Sequence, residues 1–419
     1  VSSLPSSIDV AIIGAGAAGL GAGHALKDSG LSFIVLEARD RLGGRAHTVM
    51  ASPEVTFDRG CGWLHSADQN SFVAIAKKLG FKVDKRRPPW REQAYDACFP
   101  RPEREEFLTA LDAYYTRSAE AAAEAVRTGH DAPASDYLEP GNRWNAMIDT
   151  IATYVNGCEL DQTSLIDSEA YIDSDVNWRV RRGYGALVAA YGTSIPTAFN
   201  CNVTLIDHAD TRLRIETSRG TLTVDKVIIT VPTNLIADEA LRFSPALTDK
   251  IDAAAGLPLG VNNKVMLALE GYDHLPKDSG LRGMNERVGG GGFQLRPFGQ
   301  PCIEGFYGGS FARELEDAGD GALAAQAIDE VVALLGNDVR AKLKPLAESR
   351  WAHDPFARGA YSHALPGHAG KRAVLASPVD DRLFFAGEAT HPHFFSTAHG
   401  ARDSGERAAQ EVLRSFKRP

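Results

Sequence analysis

Three glycines near the front of the chain are spaced to hold a phosphate. Gly14, Gly16 and Gly19 form a G-x-G-x-x-G pattern in "IIGAGAAGLGAG". In that pattern the first glycine permits a tight turn, the second admits a pyrophosphate to the backbone, and the third lets helix and strand pack closely. Ala17 stands where the following helix starts, and free N–H groups at a helix start favour an anion. The next apolar run, "LSFIVLE", ends on Glu37, the place for an acid that grips ribose hydroxyls. These features predict a dinucleotide site. A second set of chemistry-bearing residues lies near the other end, in "GEATHPHFFSTAHGARDSGE", where His391, His393 and His399 fall within nine residues. Those residue types could bind a metal. Their spacing argues otherwise, because His391 and His393 alternate on a loop, His399 falls in a first helical turn, and no cysteine completes a set. No metal is expected there.

The residues after Glu37, "EARDRLGGRAHT", build a second backbone-lined loop at Gly43 and Gly44, with Arg41 and Arg45 adding charge suited to a pyrophosphate. A plain nicotinamide enzyme does not need this loop, so FAD is the expected dinucleotide. The run from Glu37 to Thr48, with Arg39, Gly44 and Arg45, resembles the FAD signature of the flavin amine oxidase family, which includes monoamine and polyamine oxidases. The resemblance covers the whole chain. "DRGCGWLHS" (58–66), with Gly62, Trp63 and Leu64, is similar to the segment beside the flavin ring. "RVRRGYGALVAAY" (179–191) is similar to a glycine-rich helix start. "NVTLI" (202–206) resembles the strand whose valine, here Val203, meets the adenine through its backbone. "DKVIITVP", "GVNNKVMLAL", "RWAHDPFARGAYS" and "RLFFAGEATH" followed by "STAHGARDSGERAA" complete the set.

What the resemblance implies is the oxidation of an amine. A hydride equivalent leaves the carbon next to nitrogen for flavin N5, the imine is hydrolysed to aldehyde plus amine, and O2 is reduced to hydrogen peroxide. By the same resemblance Lys264 lies beside N5, His65 faces the substrate, Trp351 packs near the ring and Tyr361 is one wall of an aromatic sandwich. The second wall falls near Thr397, which is not aromatic. That departure, with "STAHGA", places the chain nearest the spermine and polyamine oxidase branch. Ala360 stands where monoamine oxidases carry a flavin-bonded cysteine, so FAD is expected to be non-covalent. Gly387 and Glu388 fall where the family binds the ribityl and phosphate region. The N–H groups of Thr397 and Ala398, at the start of the last helix, are the expected donors to the flavin N1 and C2 carbonyl edge. Cys61 is read as structural. His391 and His393 are read as lining the substrate entrance. Histone-demethylating relatives share a similar tail but carry long insertions for which 419 residues leave no room.

The elements needed to position these groups follow. The fold class is α/β, a Rossmann-like FAD-binding domain interleaved with a mixed α+β substrate-binding domain. Residues 1–80, 195–255 and 350–419 are assigned to the first, and 81–194 and 256–349 to the second. Residues 103–128 are Ala- and Glu-rich and predict a helix that stops at Gly129. Residues 261–310 predict strands and hairpins, with "VGGGG" (288–292) as a flexible turn. The last helix carries Ala401, Gly405, Ala408 and Ala409 as a thin face expected to press on the sheet, with Ser396 or Thr397 as its N-cap.

Composition narrows the partners. Hydrophobic residues make up 44% and charged residues 24%, ordinary for a soluble globular protein. No apolar run is long enough to cross a bilayer. The net charge of −9 argues against nucleic acid and suits a cationic small-molecule amine, with O2 as co-substrate. Five scattered cysteines favour a reducing compartment, hence a cytoplasmic protein, and no leader is visible at the first residues. The oligomeric state and the amine are not legible. Two other readings stay open: an L-amino-acid oxidase, and a flavin-binding or redox-sensing protein without catalysis.

Overall fold

The computed structural model describes residues 4–271, 274–285 and 287–417. The outermost residues assigned to the FAD-binding segments, 1–3 and 418–419, lie outside it, as do 272, 273 and 286 of the substrate-binding segments.

Strand β1 (Ser7–Ile13) is apolar over its last four residues, and all four are buried. A strand covered on both faces needs such a run, and parallel strands are covered this way. Burying each valine or isoleucine contributes roughly 1.5–3 kcal/mol. Helix α1 (Ala17–Leu26) follows at once, then strand β2 (Phe33–Leu36), parallel to β1. Strand β3 (Gly220–Ile229) lies parallel on the other side of β1, and Leu383–Phe385 extends the sheet beyond β3. Strands Thr197–Ala198, Val203–Asp207, Leu213–Thr217 and Arg242–Ser244 complete eight strands. One sheet is thus assembled from chain ends and middle, because parallel neighbours require crossovers.

The thin face of the last helix (Ala398–Lys417) presses mainly on α1 and not on the sheet as anticipated. A Cβ on Gly405 would stand 1.9 Å from the Ala18 carbonyl oxygen, and one on Gly21 would stand 2.5 Å from that of Arg402. Glycine on both helices allows a backbone approach that any side chain would block, so the small residues are used for helix-to-helix contact.

The intervening chain forms the second layer. Helix α2 (Arg101–Thr128) ends at Gly129 in the left-handed conformation, φ 74°. Helix α3 (Tyr184–Gly192) begins from the "RRGYG" segment. A five-stranded antiparallel sheet follows, in which β4 (Asn262–Leu269) lies between β5 (Cys302–Gly308) and the Leu343–Glu348 strand. Its other members, Ser279–Leu281 and Gly292–Leu295, extend it past β5. The 288–292 glycines are held and not loose. Gly289 N–H donates to Thr150 Oγ1 at 3.0 Å, Gly291 N–H to Glu330 Oε2 at 2.7 Å, and Tyr154 Oη to the Gly290 carbonyl at 2.9 Å. Each glycine supplies a backbone group that the neighbouring helices satisfy.

Candidate active site

The front glycines divide the three roles their spacing implies. Gly14 has φ +100°, and a Cβ there would meet Thr230 Oγ1 at 2.8 Å. A Cβ on Gly19 would stand 1.9 Å from the Gly14 carbonyl oxygen, so helix and turn are in direct contact. A Cβ on Gly16 meets nothing within 4 Å. Gly16 therefore faces open space at the start of α1, beside Ala17. Gly44, with φ +59°, approaches the same place from the second loop, its Cβ position 3.2 Å from the Gly16 Cα. Two glycine loops thus flank one cradle that side chains would fill, which suits a dinucleotide pyrophosphate.

Glu37 organises the ribose end. Its carboxylate accepts from Ala15 N–H at 2.7 Å and Arg39 N–H at 2.9 Å. Its own backbone bonds to Ala198 and Cys201, which brings the chain leading to Val203 alongside. The nearby arginines also bond within the protein. Arg39 pairs with Asp354 across the fold. Arg41 Nη1 donates to the Gly44 carbonyl at 2.8 Å and so holds the loop. Burial, then neighbouring Arg39, lowers the Arg41 guanidinium to about 10. Arg45 Nη1 donates to the Ala360 carbonyl at 2.5 Å and to Glu388 Oε1 at 3.0 Å.

Glu388 is buried, and it also accepts from Ser362 Oγ at 2.7 Å and Ser396 N–H at 2.9 Å. Its carboxylate is occupied by protein, and its evident work is to hold Arg45 and the loop before the last helix. Gly387, with φ +128°, donates its N–H to Ser404 Oγ at 2.9 Å. Thr397 is the N-cap of that helix: its Oγ1 accepts from Gly400 N–H at 3.0 Å. Among the described residues the N–H groups of Thr397 and Ala398 have no internal hydrogen-bond partner, as a helix start that receives an anion requires.

Of the anticipated catalytic side chains, Lys264, Trp351 and His65 gather on the 60–65 segment, while Thr397 caps the last helix. A Cβ on Gly62 would stand 3.0 Å from Lys264 Nζ, so the absence of a side chain there makes room for the ammonium. Lys264 is buried on β4 and pairs with Glu304 Oε1 on β5 at 3.1 Å. Trp351 donates Nε1–H to the Arg59 carbonyl at 2.8 Å, and its ring edge lies 3.3 Å from the Gly60 Cβ position. Leu64 is fully buried, while Trp63 meets Trp90 edge-on at 4.9 Å. His65 Nδ1 bonds to Asn177 Oδ1 at 2.7 Å. With the amide oxygen accepting, Nδ1 carries the proton and Nε2 keeps its lone pair. Burial lowers the His65 pKa against the opposing pull of Asp173.

Tyr361 joins this group indirectly. Its hydroxyl donates to the Tyr154 carbonyl at 2.5 Å, the Tyr154 ring lies 5.6 Å from Phe306, and Phe306 lies 6.0 Å from Lys264 Nζ. Burial pushes the Tyr361 phenol far up, so it stays protonated. Cys61 is raised to about 12 by burial first and by Asp58, and it too stays a thiol.

A profile described as flavin containing amine oxidoreductase matches residues 17–413. The chain belongs to the flavin-containing amine oxidoreductase family. Polyamine oxidase 4 of Oryza sativa subsp. japonica is 27% identical, over 96% of this chain and 88% of that protein. Lysine-specific histone demethylase 1 homolog 1 of the same plant is also 27% identical, over 98% of this chain but 52% of that protein. Among solved structures, cyclohexylamine oxidase from Brevibacterium oxydans IH-35A superposes with a TM-score of 0.82 at 21% identity, covering 99% of this chain and all of that one. Wild-type putrescine oxidase bound to putrescine superposes with a TM-score of 0.78 at 19% identity.

FAD is the cofactor of this flavin-containing amine oxidoreductase, and the glycine cradle, Glu37 and the capped last helix are residues that fit it. Several neighbours of the site carried no readable motif. Asn177, Trp90, Tyr154, Phe306 and Glu304 come from separate segments, and only the alternation of Glu304 and Phe306 on one strand hinted at a shared face.

The three histidines near the C-terminus point to different partners. His391 Nδ1 accepts from Phe394 N–H at 2.8 Å, His393 Nδ1 bonds the Ala170 carbonyl at 3.0 Å, and His399 Nδ1 accepts from Asn70 Nδ2 at 3.1 Å. Among the described residues no group of three His, Cys, Asp or Glu side chains is placed to hold a metal. Among the described residues no helix is long and apolar enough to cross a membrane.

Proposed function

We propose that this flavin-containing amine oxidoreductase is an oxidase of small amines, a polyamine foremost, with O2 as the final acceptor and hydrogen peroxide and an aldehyde as products. The observation that supports this most directly is the convergence of Lys264, His65 and Trp351 on the 60–65 segment. FAD, when bound, supplies the acceptor for a hydride equivalent at N5.

The residues of this chain prepare the amine and the medium. An amine donates its hydride only when its nitrogen is neutral, and burial among Tyr361, Trp63 and Phe306 disfavours the ammonium form. His65 offers Nε2 as an acceptor for an amine N–H, held in orientation by Asn177. Lys264 holds a water by its ammonium and can deliver it to the product imine. Ala360 offers only a methyl group, so the flavin is held without a covalent bond. Thr397 leaves the space that an aromatic wall would take, which favours a flexible aliphatic chain. His391 and His393 flank the way in. Residues 1–80, 195–255 and 350–419 act as the cofactor-binding unit and the remainder as the substrate-binding unit.

Amino-acid oxidation would need an arginine available to clamp a carboxylate. Arg179, stacked 4.9 Å from the Trp63 ring, is already held by Asp278 at 2.6 Å. Polyamine specificity also agrees with the net charge of −9.

The test is a peroxide-coupled screen of spermine, spermidine, their N-acetyl forms, putrescine, aromatic monoamines and L-amino acids. The same compounds are then mixed anaerobically with the flavoprotein. A polyamine should bleach the bound flavin, with colour returning in air. A flavin that no amine bleaches would leave only a non-catalytic flavin-binding role.

A further inference from the structure

Lys264 has a partner that the reaction described above does not use. β4 and β5 run antiparallel, with Lys264 opposite Phe306 and Met266 opposite Glu304. Lys264 and Glu304 are therefore diagonal neighbours on one face of the sheet, within reach of two long side chains. Their charged atoms meet at 3.1 Å. The lysine side chain is 10% exposed and the glutamate 25%. Both border a polar cleft of about 30 Å³, shared with Asp58, Gly62, Arg179 and Gln300. That is room for about two waters.

The other groups facing Lys264 cannot replace Glu304. Asp58 borders the same cleft, but its carboxylate accepts from Tyr184 N–H at 2.9 Å, Gly185 N–H at 3.2 Å and the Thr48 hydroxyl, and so caps α3. Burial raises its pKa against the pull of Lys264. Cys61 and His65 also lie within electrostatic reach of Lys264, the first a thiol and the second with its pKa lowered by burial. Arg179 and Arg181 bring positive charge to the cleft, which disfavours a further cation. On the remaining edge of β4, Ser349 Oγ accepts the Lys264 backbone N–H at 2.8 Å. Glu348 of that strand is engaged by Gly321 N–H at 2.9 Å.

We infer that Glu304 is a positioning residue for Lys264: through their 3.1 Å ion pair it holds the lysine head group in the cleft beside Gly62. This rests on the reading of Lys264 as the residue beside the flavin. Without Glu304 the long lysine side chain would lose the charged partner that fixes its direction, and its rotamer freedom would return.

The experiment uses FAD-loaded wild type, Glu304→Gln, Glu304→Asp and Lys264→Met, matched for flavin content and thermal midpoint. The flavin absorption spectrum of the resting proteins is recorded, and anaerobic reduction by the amine and reoxidation by O2 are followed separately. Lys264→Met should slow the more affected half-reaction by about 10²-fold. Glu304→Gln should slow the same half-reaction by about tenfold, and Glu304→Asp should restore most of it. Wild-type rates in Glu304→Gln, with the loss still present in Lys264→Met, overturn the role of Glu304 alone. Wild-type rates in both half-reactions of Lys264→Met overturn both this role and the placing of Lys264 beside the flavin.

Discussion

Arg45 Nη1 and Glu388 Oε1 meet at 3.0 Å although 343 positions separate them in the chain. The pair ties the second glycine loop to the segment before the last helix, the two walls proposed to hold the flavin. Burial alone would raise the Glu388 pKa, but Arg45, Ser362, Arg372 and the Ser396 N–H together outweigh it and hold it below the ordinary value.

Glu388→Gln should therefore weaken flavin retention more than it weakens the fold. Losing a buried charge-assisted bond costs ~2 kcal/mol, or on the order of tenfold or more in FAD affinity. Flavin-to-protein ratio after gel filtration reports it. Wild type should also release FAD as pH falls below the ordinary glutamate range, because a depressed carboxylate contributes above its unfolded pKa and stops contributing once protonated. Equal flavin content in Glu388→Gln and wild type would mean the pair does not hold the cofactor walls together.

The front glycines separate cofactor binding from folding. Gly16→Ala adds a methyl group into open space, so thermal stability of the apoprotein should change by less than about 0.5 kcal/mol while FAD binding drops. Gly19→Ala forces a Cβ onto the Gly14 carbonyl and should cost about 3 kcal/mol or more before any ligand is added. Differential scanning of both apoproteins, beside FAD titration, checks the contrast. The same loss of stability in both would show that Gly16 does not face a ligand cavity.

Lys264→Met should fold and bind FAD, since methionine fills a similar volume and the Glu304 carboxylate reaches solvent. Its reaction should slow by about 10²-fold. Stopped-flow measurement of anaerobic reduction and of reoxidation locates the defect. Rates equal to wild type in both half-reactions would remove Lys264 from the chemistry.

Two buried histidines contribute to the acid side of stability, beside His47 and His391, which burial also lowers to about 4. Burial first, with His65 and His391 beside it, lowers His399 to about 3, and burial followed by Arg372 lowers His363 to about 4. Both are neutral in the folded protein, whereas the unfolded chain protonates them near pH 6.5. Stability is thus complete above pH 6.5 and falls as pH drops toward 4, by roughly 1.4 kcal/mol per pH unit for each histidine. Thermal midpoints from pH 7.5 to 4.5 should decline along this course. A flat profile between pH 6.5 and 5 would show that neither histidine stays neutral on folding.

Much of the cofactor half was legible because its requirements are local. Gly14 needs a left-handed turn, Gly19 needs no side chain, and Glu37 needs only to follow a short buried strand. Each condition is met within a few residues, so type and spacing reveal it. The same holds for the stop of α2 at Gly129 and the cap of the last helix at Thr397. The helix face of Ala401, Gly405, Ala408 and Ala409 was legible as thin, but α1 as its main partner was not, since thinness does not name what approaches.

The sequence by itself determined the kind of cofactor site and the elements that carry it. Tertiary structure alone decided which charges meet. Arg39 reaches Asp354 across 315 positions and His65 reaches Asn177 across 112. Lys264 finds Glu304 only once the register of β4 on β5 is set. Backbone conformation is a property of neighbouring residues, while an ion pair depends on the folding of the whole chain, so the carboxylate and carbonyl partners of Arg39 and Arg45 could not be read from the sequence.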